Sequence, residues 1–327
     1  MTHVLITHGV PMEGWTLPQE YETWYPGEGE AFSREELKGL LAEADAVLAC
    51  GPLDADMIGA AKRLKLIVCY GAGYDSIDLA QATDRGIPVV NIPETVVHPT
   101  AEIAVTLMMS LARRIPALNG VMHSSQAESA FGMGKEMGVS LYGAALGIVG
   151  MGRIGSRVAE IGRALGMRIL YNARGPKPEQ ESAGARFCSL PALMAEADFV
   201  SLHCPLTPET TGLITRELLL SMKPTAFLIN TSRGLVVDES ALLEVLEQGR
   251  IAGAGLDVFV GEPRINPLFQ TLPNVIMTPH VGSNTVQARK EMAQEASLRI
   301  REVLLEGKKP VHLLNPQVWG EAGPSRG

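Results

Sequence analysis

The chain has 327 residues, 46% hydrophobic and 20% charged, with a formal net charge of −8. That is ordinary globular composition with room for two domains of about 100–200 residues each, and an acidic balance without a basic run argues against nucleic acid as a partner. Cys50, Cys69, Cys188 and Cys204 are scattered without C-x-x-C spacing, which argues against a zinc or other metal site and against disulfides, and for reduced thiols in the cytoplasm.

Taken in order, Met1–Val10 has no basic start and no long apolar core, so no signal peptide is expected. Short apolar runs at Val4–Ile6, Ala46–Cys50, Leu66–Tyr70 and Val89–Asn91 predict strands, with helical patterns at Glu35–Ala44 and Met57–Arg63 between them. Thr100–Arg114 reads as one long buried helix. Its apolar part, Ile103–Ala112, is about half a membrane span, so no membrane partner is expected. Gly120–Gly138 is polar and weakly patterned, and is expected to be a mobile or partner-contacting loop.

A second series of strands follows at Ala145–Val149, Arg168–Tyr171, Phe199–Leu202, Phe227–Asn230, Gly253–Leu256 and Val275–Met277, with helices such as Glu239–Gln248 between them and a last long helix at Thr285–Glu306. Alternation of this kind predicts parallel sheets wrapped by helices. Two series, before about residue 98 and after about residue 144, predict an α/β chain of two doubly wound units.

Two motif sets carry chemistry. The first is G-x-G-x-x-G at Gly150, Gly152 and Gly155, set between the strand Ala145–Val149 and a helical pattern at Ile154, Val158, Ile161 and Leu165. In that frame Gly150 makes the tight turn, Gly152 admits a pyrophosphate and Gly155 lets helix pack on strand. The phosphates then meet a helix N-terminus. The second set is N-T-S-R-G at Asn230–Gly234, L-D-V-F-V-G-E-P at Leu256–Pro263 and T-P-H-V-G-S at Thr278–Ser283. Each places a polar residue in a small-residue turn after an apolar run, where open parallel sheets hold ligands. Arg233 can clamp a carboxylate with its fork, Glu262 can hold and charge an imidazole, and His280 can move a proton near neutral pH. Reversible reduction of a 2-oxo acid needs these three parts and a hydride from a dinucleotide.

These motifs, with G-A-G-Y-D at Gly71–Asp75, H-P-T-A-E at His98–Glu102 and S-L-H-C-P-L-T-P-E-T at Ser201–Thr210, resemble the D-isomer-specific 2-hydroxyacid dehydrogenases from about Gly71 to Asn315. The resemblance implies two Rossmann-like domains with a cleft between them: a substrate-binding domain of residues 1–98 completed by 285–327, and a dinucleotide-binding domain of residues 99–284. It implies that the cleft closes about the Asn91–Thr100 and Gly282–Thr285 crossings. Arg233 would bind the substrate's carboxylate and carbonyl oxygen. Glu262 would pair with His280 and raise its pKa, and His280 would give its proton to the carbonyl oxygen. Backbone N–H groups around Ala72 and Gly73 would complete the carboxylate cradle. The cofactor would lie along Thr100, Gly150, Gly152, Arg153, Ile154, Gly155, Cys204, Pro205, Thr210, Thr231, Ser232 and Gly282, with Asp257 at the nicotinamide carboxamide. His203 would be a structural neighbour of the cofactor loop.

One departure concerns the cofactor. A site that selects NAD usually ends its second strand in an acidic residue for the ribose 2′-hydroxyl. Here that strand runs into Asn172, followed by Arg174 and Lys177. NADP(H) is therefore the expected cofactor, with NAD(H) also accepted, as in the glyoxylate and hydroxypyruvate reductase branch. Gly120–Gly138 lacks the tryptophan looked for in that branch; Trp15, Trp24 and Trp319 lie near the chain ends instead. Trp15 and Trp24 belong to an aromatic loop, Trp15–Tyr25, that either reaches the substrate side chain or makes a surface or subunit contact. The expected partners are a small 2-oxo or 2-hydroxy acid and a second copy of the chain. Other readings are a dehydrogenase for D-lactate or an aromatic 2-hydroxy acid, and a dinucleotide-sensing corepressor. Formate and phosphite dehydrogenases fit less well, because Glu262 and Ala72 stand where a glutamine and a lysine are expected.

Overall fold

The computed structural model describes residues 1–320 and 323–324 and divides the chain into two compact units, Met1–Val96 with Ser283–Gly327, and Val97–Gly282. Residues 321, 322 and 325–327, the end of the expected substrate-binding domain, lie outside the described residues.

The first unit is built on β1 (Thr2–Ile6), β2 (Tyr21–Trp24), α1 (Arg34–Glu43), β3 (Ala46–Ala49), α2 (Ala55–Ala60), β4 (Leu66–Cys69), α3 (Leu79–Asp84) and β5 (Val89–Asn91). Its five strands form a parallel sheet in the order β2-β1-β3-β4-β5. The central strands β3 and β4 are apolar and buried on both faces, as a helix-covered parallel sheet requires. Polar residues start the helices: Ser33 and Glu36 exchange capping bonds at α1, and Asp54 and Asp78 cap α2 and α3. The last long helix packs Met292, Ala296, Ile300 and Val303 against Val4, Ile6, Leu48 and Val68 of this sheet.

The second unit opens with α4 (Val97–Ala112), α5 (Ile115–Met122) and α6 (Ala127–Ala130). It continues through β6 (Ala145–Val149), α7 (Arg153–Ala164), β7 (Arg168–Asn172), α8 (Pro178–Ser182), β8 (Arg186–Phe187), α9 (Leu190–Glu196) and β9 (Phe199–Leu202). After α10 (Arg216–Ser221) come β10 (Phe227–Asn230), α11 (Glu239–Glu247), β11 (Gly253–Leu256) and β12 (Val275–Met277); α12 (Val286–Leu304) returns to the first unit. The seven strands are parallel in the order β12-β11-β10-β9-β6-β7-β8. Strand order reverses between β6 and β9, and the crevice beyond their C-terminal ends is where a doubly wound sheet takes its ligand. The buried α4 lies so close to β11 that a Cβ on Gly255 would sit 2.9 Å from that of Leu107. Glycine at that position is a packing requirement.

Three local expectations change. β2 occupies the segment expected as an aromatic loop; it is a half-exposed edge strand without an apolar run, paired only to β1. Trp15 there donates to Thr23 Oγ1 at 3.3 Å and packs on the unit's core. β8 has two residues, too short for any periodicity. Gly120–Gly138 is partly helical, since α5 extends to Met122 and α6 adds one turn.

Candidate active site

Arg233, Glu262 and His280 stand in the loops after β10, β11 and β12, three neighbouring strands of the second unit. Asn230, at the end of β10, shapes the first of these loops. Its Oδ1 accepts the Ser232 N–H at 3.0 Å and Oγ–H at 2.8 Å, and its Nδ2 donates to the Arg233 carbonyl at 2.9 Å. Gly234 follows because any Cβ there would lie 2.2 Å from the Phe259 carbonyl carbon. Arg233 Nη1 donates to the Ser232 carbonyl at 2.7 Å, so the half-buried guanidinium is anchored from its own turn.

Glu262 is bound at both oxygens. Oε1 accepts the Phe259 N–H at 2.7 Å, and Oε2 lies 2.7 Å from His280 Nδ1. Burial pushes this carboxyl up, but the bonds from His280 and Phe259 and the charges of His280 and Arg233 outweigh it and hold it below the usual carboxylate range. His280 has φ of 54°, a left-handed conformation that costs a non-glycine residue about 1–2 kcal/mol.

Asp257 supports that conformation. It is 1% exposed, and its Oδ1 accepts from Thr278 Oγ1 at 2.6 Å and the Val281 N–H at 2.8 Å, while Oδ2 accepts the Gly282 N–H at 2.9 Å. The sequence points to Asp257 only as a cofactor contact. In the structure its oxygens fasten the loop that carries His280. Gly282 is packed beside Asp257 and Thr100: a Cβ there would lie 3.2 Å from Asp257 Oδ2 and 3.4 Å from the Thr100 side chain.

The glycine turn lies at the end of β6. Gly150 has φ of 96°, and a Cβ there would meet the Cys204 nitrogen at 2.6 Å. A Cβ on Gly155 would lie 2.1 Å from the Gly150 carbonyl oxygen, whereas one on Gly152 would project into open space. No side chain caps α7 at Gly152, so the N-terminus of this helix is open to an anion. Opposite, Cys204 is buried and its thiol is pushed up to about 11 by burial, with a smaller opposing bond from its own backbone. Thr210 Oγ1 donates to the Pro205 carbonyl at 2.6 Å and fixes the Cys204–Thr210 loop. Thr231 Oγ1 is buried without a partner among the described residues, as a group awaiting a ligand would be. The open space over Gly152, the uncapped helix and the orphaned Thr231 hydroxyl fit a dinucleotide.

His203 is partly buried, with Nε2 2.8 Å from Ser201 Oγ, and burial lowers its pKa to about 3. It is neutral and packs behind the Gly150 turn. At the end of β7, Asn172 Nδ2 donates to the Cys188 carbonyl at 2.9 Å; Arg174 is exposed and Lys177 half-buried. Ala72 and Gly73 belong to the other unit, at the end of β4, where the Ala72 carbonyl accepts from Asn91 Nδ2 at 2.7 Å. Sequence reading missed the tether Asn230 and the loop-fastening bonds of Asp257. Among the described residues no group of three metal-ligating side chains occurs, and no helix is long and apolar enough to cross a membrane.

A family model described as D-isomer specific 2-hydroxyacid dehydrogenase, NAD binding domain, matches residues 105–282. The glyoxylate reductase of Thermococcus litoralis is 40% identical over 330 residues, covering 98% of this chain and 99% of the relative. A solved structure of a Thermus thermophilus protein superposes with a TM-score of 0.87 at 37% identity, covering 96% of this chain and all of the other. An NADPH-dependent glyoxylate/hydroxypyruvate reductase from Sinorhizobium meliloti, solved with NADP and malonate, has a TM-score of 0.84 at 28% identity, covering 96% of each chain.

Proposed function

The chain belongs to the D-isomer-specific 2-hydroxyacid dehydrogenases, NAD(P)-dependent oxidoreductases of 2-oxo and 2-hydroxy acids, and from that premise we propose that it reduces glyoxylate and hydroxypyruvate with NADPH. The observation that carries the reading is the bonded Glu262–His280 pair beside Arg233 on neighbouring strand ends. The names of the T. litoralis and S. meliloti relatives support the substrate class.

In the proposed mechanism Arg233 binds the substrate carboxylate and carbonyl oxygen, and the backbone N–H groups of Ala72 and Gly73 are the substrate-binding groups of the first unit. A dinucleotide held in this unit would supply the hydride for the carbonyl carbon. His280 gives its proton to the carbonyl oxygen, and Glu262 holds the imidazole at Nδ1 so that the other ring nitrogen serves the substrate. Residues 1–98 with 285–327 act as the substrate-binding domain and 99–284 as the dinucleotide-binding domain. Gly150, Gly152, Arg153, Ile154 and Gly155 hold the pyrophosphate. Thr100, Cys204, Pro205, Thr210, Thr231, Ser232, Asp257 and Gly282 hold the remainder. Asn172, Arg174 and Lys177 favour the 2′-phosphate of NADP(H), with NAD(H) also accepted.

The working form is a cytoplasmic homodimer. Exposed Phe131, Met133, Met137 and Tyr142 support a partner surface, and four free cysteines support a reducing compartment. The test is loss of reduced-nicotinamide absorbance with a panel of 2-oxo acids, on wild type and His280→Ala. Glyoxylate and hydroxypyruvate should be turned over fastest. His280→Ala should lower turnover by about 10²–10⁴-fold with cofactor affinity retained. Near wild-type turnover in that variant would overturn the proton-donor role.

A further inference from the structure

Tyr171 is the fourth residue of β7, and its ring is completely buried, tilted against Phe187 with centroids 5.4 Å apart. Filling that space needs no hydroxyl; a phenylalanine would do it. The hydroxyl nevertheless has a partner outside the sheet: the backbone N–H of Lys177 donates to it at 2.6 Å. Lys177 is held on its other side as well, where its carbonyl accepts the N–H groups of Gln180 and Glu181 at 2.9 and 3.0 Å in the first turn of α8.

The other end of this segment is equally fixed. The Asn172 carbonyl accepts the Gly150 N–H at 2.9 Å, while its side chain is tied to Cys188. Residues 173–176 therefore form a short loop stretched between two pinned points. Arg174 is exposed within it, with no carboxylate paired to it among the described residues.

We propose that the Tyr171 hydroxyl is a positioning group for cofactor selection: by holding the Lys177 N–H it keeps the 173–177 segment in the form that presents Arg174 to the adenosine 2′-phosphate. This rests on the NADP(H) reading above. A surface loop ordered before binding loses less conformational entropy when the ligand arrives. Without the hydroxyl, the Lys177 N–H faces a phenyl edge and the loop loosens. The effect is selective because the glycine turn is fastened independently, through the Asn172 carbonyl and the packing of Gly155 on Gly150.

Titration calorimetry on the full chain, with adenosine 2′,5′-bisphosphate and with 5′-AMP, tests this on wild type and Tyr171→Phe. The variant should bind the bisphosphate about fivefold more weakly, the worth of one ordinary hydrogen bond, with 5′-AMP affinity unchanged. A purely structural tyrosine would move both ligands together or neither, and either result overturns the proposal. A wild type that does not favour the bisphosphate over 5′-AMP would instead remove the NADP(H) reading before any substitution is made. Amide exchange on the unliganded proteins reads the tether itself. Protection over 173–177 should fall in Tyr171→Phe while α7 stays protected; equal protection of the segment would also overturn the proposal.

Discussion

Replacing Glu262 by glutamine removes one charge and keeps the shape of the side chain. The carboxylate accepts at both oxygens, from Phe259 N–H and His280 Nδ1, each at 2.7 Å. A glutamine amide offers a single acceptor oxygen and an NH2 group, so one of the two contacts is lost or turned donor against donor. A charge-assisted bond contributes about 1.5–3 kcal/mol. The His280 side chain is 48% exposed and that of Glu262 33%, so solvent screening reduces the effect to roughly 1–1.5 kcal/mol. That corresponds to about a five- to tenfold fall in turnover. Cofactor affinity should be spared, because the glycine turn belongs to β6.

Acid behaviour gives an independent check. Burial pushes the Glu262 carboxyl up, but His280, the Phe259 N–H and Arg233 together hold it below its ordinary value. A depressed folded-state value means that its contribution to stability is complete above the unfolded value of about 4.3. The contribution is lost as pH falls through the lower folded value. Wild type should therefore lose this increment of thermal stability on acidification, and Glu262→Gln should lack that part of the acid dependence. Turnover against pH, with unfolding midpoints over the same range, measures both effects. Unchanged turnover together with an unchanged acid profile would refute the reasoning.

Combining Asn172→Asp with Arg174→Ala should reverse the cofactor preference, since a charge-assisted bond to the 2′-phosphate corresponds to about ten- to a hundredfold. Comparing kcat/KM for both cofactors on both proteins checks it, and a wild type that favours NADH would defeat it. Gly155→Ala drives a Cβ to 2.1 Å from the Gly150 carbonyl oxygen, a backbone clash that no rotamer change relieves. The expected cost is about 1–3 kcal/mol, read by urea denaturation, with weaker binding of 5′-AMP; an unchanged midpoint would contradict the packing of α7 on its turn.

Much of the architecture is legible because parallel strands buried on both faces read as unbroken apolar runs. Ala145–Val149, Phe199–Leu202, Phe227–Asn230 and Gly253–Leu256 have the bounds that the runs predict. The edge strand Tyr21–Trp24 is not legible, because it is only partly buried and its apolar and polar residues mix. The glycine turn is legible since its spacing reflects backbone demands. The 2.7 Å pairing of Glu262 with His280 is not readable from spacing, because the two residues lie 18 apart on loops after different strands. The chemistry of the two side chains suggested that Glu262 could hold an imidazole, and the family resemblance named His280 as its partner.

The residues that composition and spacing conceal most completely have one property in common. Asn230, Asp257 and Tyr171 end, follow or nearly end β10, β11 and β7, and each directs buried polar atoms to the backbone of the loop beyond its strand. Such a bond stabilises by about 0.5–1.5 kcal/mol when made, but leaves a buried group costing about 1–3 kcal/mol when broken. The asymmetry makes each of them a sharper determinant of loop conformation than of overall stability. Asp257 fixes the left-handed turn at His280, Asn230 fixes the turn at Arg233, and Tyr171 fixes the approach to Arg174. A sequence reader sees an aspartate, an asparagine and a tyrosine beside apolar runs, where capping, core packing and ligand contact are all ordinary fates. Only the folded chain separates these fates, because the partner is a backbone N–H or carbonyl, which nearly every residue carries and no sequence pattern marks.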